Sequence, residues 1–419
     1  MILSISTNSN ALAQNVWIFW MLEFGTLGFV SYELSRQQIE ALQTIGRWYR
    51  TKSEPFITLG GYAGTGKTTL IAYVRQALRQ NDPDAKVAFC AYTGKAVRVL
   101  EKTLKSHRIA KKSDNISTIH GLIYHTETDS GGRITGWRKK KELEFDLIIV
   151  DEASMVTADI WKDLLSFGIP ILAVGDHGQL PPVGSSFNLM ADPQLRLEAV
   201  YRQAAGSGIV QAATLARTTG EIPAGSYGSE VIKIDRGADD IGVVMDELLE
   251  QWRPDWLVLC GYNHTRVRLN ESLRGRMGFE SADPVSGDHV VCLRNNSRAK
   301  LYNGMTGSVR WINKAEADDE EKWWQVGLKI DDFEYEGLLL REQFGARETV
   351  KELPKTPDKK IKGDLFDFAY ALTVHKAQGS SADTVIVFEE RNKHMSDEDW
   401  RRWLYTAVTR AENRLFIIG

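Results

Sequence analysis

Cysteine is scarce in this chain. The three present among 419 residues, Cys90, Cys260 and Cys292, stand far apart and offer no metal-ligand spacing, which argues against a zinc centre. Cys90 and Cys260 fall in apolar runs, the setting of inert buried thiols in a reducing cytoplasm. Positive charge is not in surplus either. With a formal net charge of −3, no field over the whole molecule draws nucleic acid, although a local basic groove would suffice. Long apolar runs are missing too. The richest, Val16 to Val30, holds Trp17, Phe19, Trp20, Phe24 and Phe29. It falls short of the about 20 residues a membrane span needs and carries Glu23. No Lys or Arg precedes Arg36, so the basic start of a signal peptide is absent. Residues 1–33 therefore read as a poorly packed extension or an overlong start, with no membrane role.

What is present is a soluble globular composition, 43% apolar and 26% charged, in a chain too long for one core. Its most informative stretch is Gly60-Gly61-Tyr62-Ala63-Gly64-Thr65-Gly66-Lys67-Thr68-Thr69, between the β-branched run Phe56–Leu59 and a helical pattern at Leu70, Ile71, Val74 and Leu78. Gly61 to Thr68 fits G-x-x-x-x-G-K-[ST] in strand–loop–helix context, the phosphate-binding loop. Glycines let backbone N–H groups turn inward at a helix N-terminus, where the dipole favours an anion. Lys67 would reach the β- and γ-phosphates of a nucleoside triphosphate, and the Thr68 hydroxyl would bind Mg²⁺.

Upstream, Ser35 is a candidate N-cap for a helix with Ile39, Leu42 and Ile45 on one face. Gln38 could read an adenine edge with its amide, or be a solvated glutamine. Downstream, strand Val87–Ala91 runs into Tyr92-Thr93-Gly94-Lys95-Ala96 and a helix, which suits either a phosphate ligand or a capped helix start. Ser117-Thr118-Ile119-His120 repeats the theme more weakly. Residues 121–143 read as a hairpin turning at Asp129–Gly132, with Arg138–Lys141 either a solvated face or a grip on a nucleic-acid backbone. The buried parallel strand Leu147–Val150 ends in Asp151 and Glu152, which in a phosphate-loop enzyme hold Mg²⁺ and polarise the attacking water. Strand Ile169–Val174 leads to Gly175-Asp176-His177-Gly178-Gln179, putting Gln179 near the γ-phosphate if this strand neighbours the other two. Leu197 to Gln203 supplies Arg202 after a short helical turn.

The second half keeps the α/β alternation without another phosphate loop. It has strands at Trp256–Cys260, Asp383–Phe388 and Leu415–Ile418, and an arginine-rich helix over Thr265–Met277. Between 284 and 364 the texture becomes β, with period-two runs at Asp288–Leu293, Thr306–Trp311 and Trp323–Leu328, a turn at Asn303-Gly304 and an acidic loop tip at Glu316–Glu321. Lys351–Lys362 reads as a polar return linker. No internal repeat is visible.

The ordered series GYAGTGKTT, AYTGKAVRVL, STIHGLI, IIVDEASMV, VGDHGQLPPVG and LEAVYRQ, then Phe368–Gly379 and Leu404–Ala411, resembles the motifs of superfamily 1 helicases. It is most similar to the RecD/Dda branch, which moves 5′ to 3′ on single-stranded DNA, and the likeness covers about 34–419. It implies an α/β fold of two RecA-like parallel-sheet domains, 34–200 and 201–283 with 365–419. The 121–143 hairpin would be an inserted wedge, and 284–364 a small SH3-like β insertion. It implies ATP between the halves, contacted by Gln38 at the adenine, by Gly61, Gly64, Thr65, Gly66, Lys67, Thr68 and Thr69 at the phosphates, and through Mg²⁺ by Thr68 and Asp151. Lys67, Glu152, Gln179 and the arginine fingers Arg202 and Arg410 would carry catalysis. DNA would touch Thr93, Lys95, Thr118 and His120, then Thr373, His375 and Lys376, the two histidines being ligands only by their motif context. The implied partners are single-stranded DNA and single-strand–duplex junctions, with replication or recombination proteins beside them; a monomer suffices. No nuclease-type acidic cluster is recognisable. A nucleotide-switched binding module without unwinding, or an RNA helicase, are the alternatives.

Overall fold

The structure, a computed structural model, describes residues 34–419 except 107–108, 129–133, 183–186, 200–205, 295, 297–298, 300, 302, 316–320, 331–332 and 357–362. The 1–33 extension, the hairpin tip, Arg202, most of the acidic run and the end of the return linker thus lie outside the described residues. Two six-stranded sheets, one for each half, and a five-stranded antiparallel sheet make up the architecture.

The first half opens with α1 (Arg36–Thr51), β1 (Phe56–Gly61), α2 (Lys67–Asn81), β2 (Val87–Ala91), α3 (Gly94–Ser106), β3 (Asn115–Thr118) and α4 (Ile119–Ile123). Then come β4 (Tyr124–Thr128), β5 (Ile134–Lys139), β6 (Leu147–Asp151), α5 (Ala158–Leu165), β7 (Ile171–Gly175) and β8 (Leu195–Leu197). Its sheet has the order β3-β2-β6-β7-β1-β8, every pair parallel. Apolar runs form these strands because both sheet faces are covered. Phe89, Ile149 and Leu172 pack under α1 to α3, while Ala88, Cys90, Ile148, Val150 and Ala173 pack against α4 and α5. β4 and β5 form a separate antiparallel pair. The short helical turn expected from Leu197 is corrected. Leu197 closes β8, which pairs with Leu59–Gly61, because alternating Leu195 and Leu197 side chains find an edge beside β1.

The second half follows with α6 (Gly208–Thr218), β9 (Gly225–Tyr227), β10 (Val231–Ile234), α7 (Ile241–Gln251), β11 (Leu257–Cys260) and α8 (Asn263–Arg276). After an excursion it resumes with β17 (Ala371–Thr373), β18 (Ala382–Phe388), α9 (Asp397–Val408) and β19 (Ala411–Ile418). The sheet order is β17-β11-β18-β19-β10-β9, parallel but for β9. Trp400, Trp403, Leu404 and Tyr405 of α9 pack with α6 on one face, and Leu248, Trp252 and Leu273 cover the other.

The excursion is β12 (His289–Cys292), β13 (Thr306–Lys314), β14 (Trp323–Ile330), β15 (Phe333–Leu340) and β16 (Phe366–Phe368), joined antiparallel around their own core of Val290, Val309, Val326, Leu328 and Phe366. Gly304, at φ 88, makes the turn before β13. Two buried ion pairs fasten this sheet to α8. Arg266 donates to Asp367 of β16 at 2.6 Å, and Arg274 grips Asp288 with two bonds of 2.8 Å. All three cysteines are buried and free. Among the described residues no helix is long and apolar enough to cross a membrane.

Candidate nucleotide cleft and nucleic-acid face

β6, β7 and β1 are neighbours, so the turns that follow them meet at one sheet edge. The phosphate loop follows β1, with Gly64 at φ 76 and Gly66 at φ 82, values that favour glycine. Lys67, the first residue of α2, folds its ammonium onto the loop's own carbonyls, 2.7 Å from Gly61 O and 3.0 Å from Tyr62 O, and lies 3.8 Å from Asp176 Oδ2. Asp176 is fully buried and was missed as a site residue. Its carboxylate also accepts from the Gly178 N–H at 2.9 Å and from Gln179 Nε2 at 3.3 Å. Gln179 thus lies within this cluster, and its Oε1 is buried without a partner among the described residues.

Asp151 and Glu152 end β6 side by side. Glu152 sits at φ 52, a left-handed conformation costing a side-chain-bearing residue about 1–2 kcal/mol, and its Oε2 is buried without a partner among the described residues. The Asp151 carboxyl is pushed up to about 7, by burial first and then by the Glu152 charge, against the opposing Glu152 N–H and Lys67 ammonium. A carboxylate and the Thr68 hydroxyl are the hard oxygen donors that magnesium takes, so the residues fit that ion.

One pH dependence follows. Between the unfolded value of 3.8 and about 7, folded Asp151 holds a proton that the unfolded chain releases. Its contribution to stability is therefore lost as pH rises through that window. Asp151→Asn removes the slope. In EDTA the variant should gain about 2–4 °C in Tm over wild type at pH 8 relative to pH 5. Parallel melting curves across pH would refute this.

Gln38 is buried, and both ends of its amide are engaged by the chain. Oε1 accepts from Ser35 N at 2.8 Å, completing a capping box on α1, and Nε2 donates to Thr65 O at 2.9 Å. The amide so ties α1 to the phosphate loop, a role foreshadowed by the S-x-x-Q spacing of Ser35 and Gln38.

The second half closes the cleft. Tyr405 of α9 accepts a hydrogen bond from the Ala63 N–H at 2.8 Å and donates to Asp176 Oδ2 at 2.9 Å. Arg217 of α6 lies over the Tyr62 ring at 4.1 Å. Arg410 is buried, its guanidinium donating to Thr406 O at 3.0 Å, Ser380 O at 3.1 Å and Thr409 Oγ1 at 3.1 Å. It is near enough for its charge to act on the Tyr405 hydroxyl, but these three bonds all run within its own half.

The residues expected to meet DNA stand at the C-terminal ends of parallel strands. Thr93 and Thr118 both cap helices, their hydroxyls accepting from Ala96 N and Gly121 N. His120 lies between the rings of Tyr92 and Tyr124, at 6.2 and 5.6 Å. Thr373 ends β17 and is buried; His375 and Lys376 follow it. Burial lowers the pKa of His120, His375 and Lys376, leaving the imidazoles neutral. A Cβ on Gly379 would lie 3.2 Å from Thr93 Oγ1, so the two halves adjoin at this edge. The Lys95 side chain lies outside the described set.

Two families match this chain, an AAA domain over residues 33–231 and a UvrD-like helicase C-terminal domain over 368–418. The ATP-dependent RecD2 DNA helicase of Deinococcus radiodurans is 31% identical over 388 residues, covering 87% of this chain and 47% of that protein. In sequence the chain is similar to the RecD helicases. The RecBCD subunit RecD of Mycolicibacterium smegmatis is 26% identical over 408 residues, covering 88% of this chain and 69% of that one. The chain thus spans about half of its RecD2 relative's length. In fold, the chain matches the Bacteroides Pif1 helicase in complex with ADP-AlF3 and single-stranded DNA, at TM-score 0.53 and 16% identity over 92% of each chain.

Proposed function

We propose that this chain is an ATP-driven motor that moves 5′ to 3′ on single-stranded DNA and separates duplex ahead of it. The observation that carries the reading is the phosphate loop of the first half held at two points by the second, Ala63 by Tyr405 and Tyr62 by Arg217. A nucleotide bound there would bear on their relative position.

In this reading Lys67 leaves the Gly61 and Tyr62 carbonyls to neutralise the β- and γ-phosphates, while the N–H groups from Gly64 to Thr69 cradle them. Thr68 and Asp151 would hold Mg²⁺, which would supply positive charge against the phosphates. Glu152, its free oxygen turned inward, orients the attacking water, and Gln179 lies beside it. Arg202 and Arg410 serve as fingers, the latter after exchanging its present carbonyl partners for phosphate. Gln38 reads adenine with its remaining N–H. Residues 34–200 form the first RecA-like domain, and 201–283 with 365–419 the second. Residues 284–364, with β12 to β15, form the SH3-like insertion, and the β4–β5 pair the wedge.

DNA crosses the strand ends at Thr93, Lys95, Thr118 and His120, then Thr373, His375 and Lys376, mostly through backbone and stacking contacts, with little sequence preference. The RecD2 relative's name, a DNA helicase, and the single-stranded DNA in the Pif1 complex favour DNA over RNA. Strand displacement on duplexes with a 5′ or a 3′ tail, together with ATPase assays with and without single-stranded DNA, tests the reading. Unwinding of 5′-tailed duplex alone and DNA-stimulated turnover are expected. Unwinding from the 3′ tail would reverse the polarity, and turnover indifferent to DNA would favour a nucleotide switch.

A further inference from the structure

Tyr405 belongs to none of the roles assigned above, yet it joins more of the cleft than any of the expected residues. It sits in the last turn of α9, fully buried, with its ring against Gly178, where a Cβ would come within 2.9 Å of Tyr405 Cε1. Its hydroxyl has one hydrogen to give and gives it to Asp176; the oxygen accepts from the Ala63 N–H. Burial first, and then the Asp176 charge, push the phenol's pKa far up, so it stays a donor at any working pH. Asp176 Oδ2 is also the carboxylate oxygen facing Lys67. Phenol, carboxylate, ammonium and loop N–H therefore form one connected set. Two further bonds flank it, Leu180 N to Thr406 Oγ1 at 3.0 Å and Gln378 Nε2 to Leu180 O at 2.9 Å.

Lys67 is a group that a triphosphate needs, since the loop would bind phosphate through Lys67 and the N–H groups from Gly64 onward. Here Tyr405 holds the loop at Ala63, directly before those N–H groups, and its other partner, Asp176, faces Lys67. An anion that takes up Lys67 and the neighbouring N–H groups therefore pulls on both bonds of the phenol. We propose that Tyr405 is a positioning residue that latches the second half onto the phosphate loop, and that nucleotide binding releases it. The latch rests on the nucleotide reading above, and it makes triphosphate binding and the separation of α9 from the loop one event.

Tyr405→Phe keeps the ring and removes the hydroxyl. Titration of the full chain with Mg·AMP-PNP and with Mg·ADP, alongside thermal melts, provides the test. The variant should melt lower when empty yet bind nucleotide about fivefold more tightly, since one hydrogen bond no longer opposes binding. Its nucleotide-induced rise in Tm should exceed that of wild type. A purely structural tyrosine would lower the melt without tightening the nucleotide. Unchanged or weaker affinity overturns the latch. Thr406→Val, which removes the Leu180 contact and leaves the loop alone, should keep wild-type affinity. Equal tightening there would mean that general loosening, not the hydroxyl, is responsible, and would also overturn it. Wild-type protein that binds neither nucleotide would refute the nucleotide reading itself, whatever Tyr405→Phe does.

Discussion

Lys67→Ala is expected to lower ATP turnover by about 10³-fold or more while leaving binding of single-stranded DNA within about twofold of wild type. Among the described residues the ammonium is held by loop carbonyls and the Asp176 carboxylate, partners it can exchange for phosphate. Nothing ties it to Thr93, Thr118 or Thr373, where DNA is placed, so the two activities should separate. Steady-state phosphate release and a fluorescence-anisotropy titration with labelled oligonucleotide measure both. Retention of a tenth or more of wild-type turnover would sink the assignment of the loop. Loss of DNA binding in proportion would show that Lys67 serves the fold instead.

Glu152→Gln should lower turnover by about 10²–10⁴-fold with nucleotide affinity preserved, the signature of a lost base rather than a lost ligand. Two observations single Glu152 out, its unpartnered buried oxygen and its left-handed backbone. Neither helps the empty protein. The strain is held by the turn at Ala153–Met155, and the charge raises the cost of ionising Asp151. Glutamine keeps the shape, relieves the neighbouring carboxylate and cannot take a proton. The melting temperature should therefore rise slightly as activity falls. If turnover survives within threefold of wild type, water is oriented by another group.

Strands β1, β2, β6, β7, β11, β18 and β19 were legible because their apolar runs are buried on both faces, whereas β3, β9, β10 and β17 are short or partly exposed and were not read. Val87–Ala91 was read to the residue. The phosphate loop was legible because its chemistry needs fixed spacing between glycines and Lys67. β8 was not, since three residues with Arg196 at the centre carry no period of their own. Tyr405 was invisible as a cleft residue for a plainer reason. Its partner Ala63 lies 342 positions away, and a tyrosine in an aromatic-rich helix looks like core until the partner half is in view. Gln38 fell between these cases. Its cap could be read from Ser35, but its bond to Thr65 O could not.

The arginines of α8 bear on how force would pass through such a molecule. Arg266 and Arg274 are sunk into the joint with the β12–β16 sheet, and breaking either buried pair would leave a bare charge, at a cost of about 3–5 kcal/mol. Asn270 adds a two-way amide clasp from the same helix to Ala371 of β17. Helix, second sheet and β excursion thus behave as one stiff lever. A tilt of the second sheet would therefore carry the base of the β excursion, at Asp288 and Asp367, along with it.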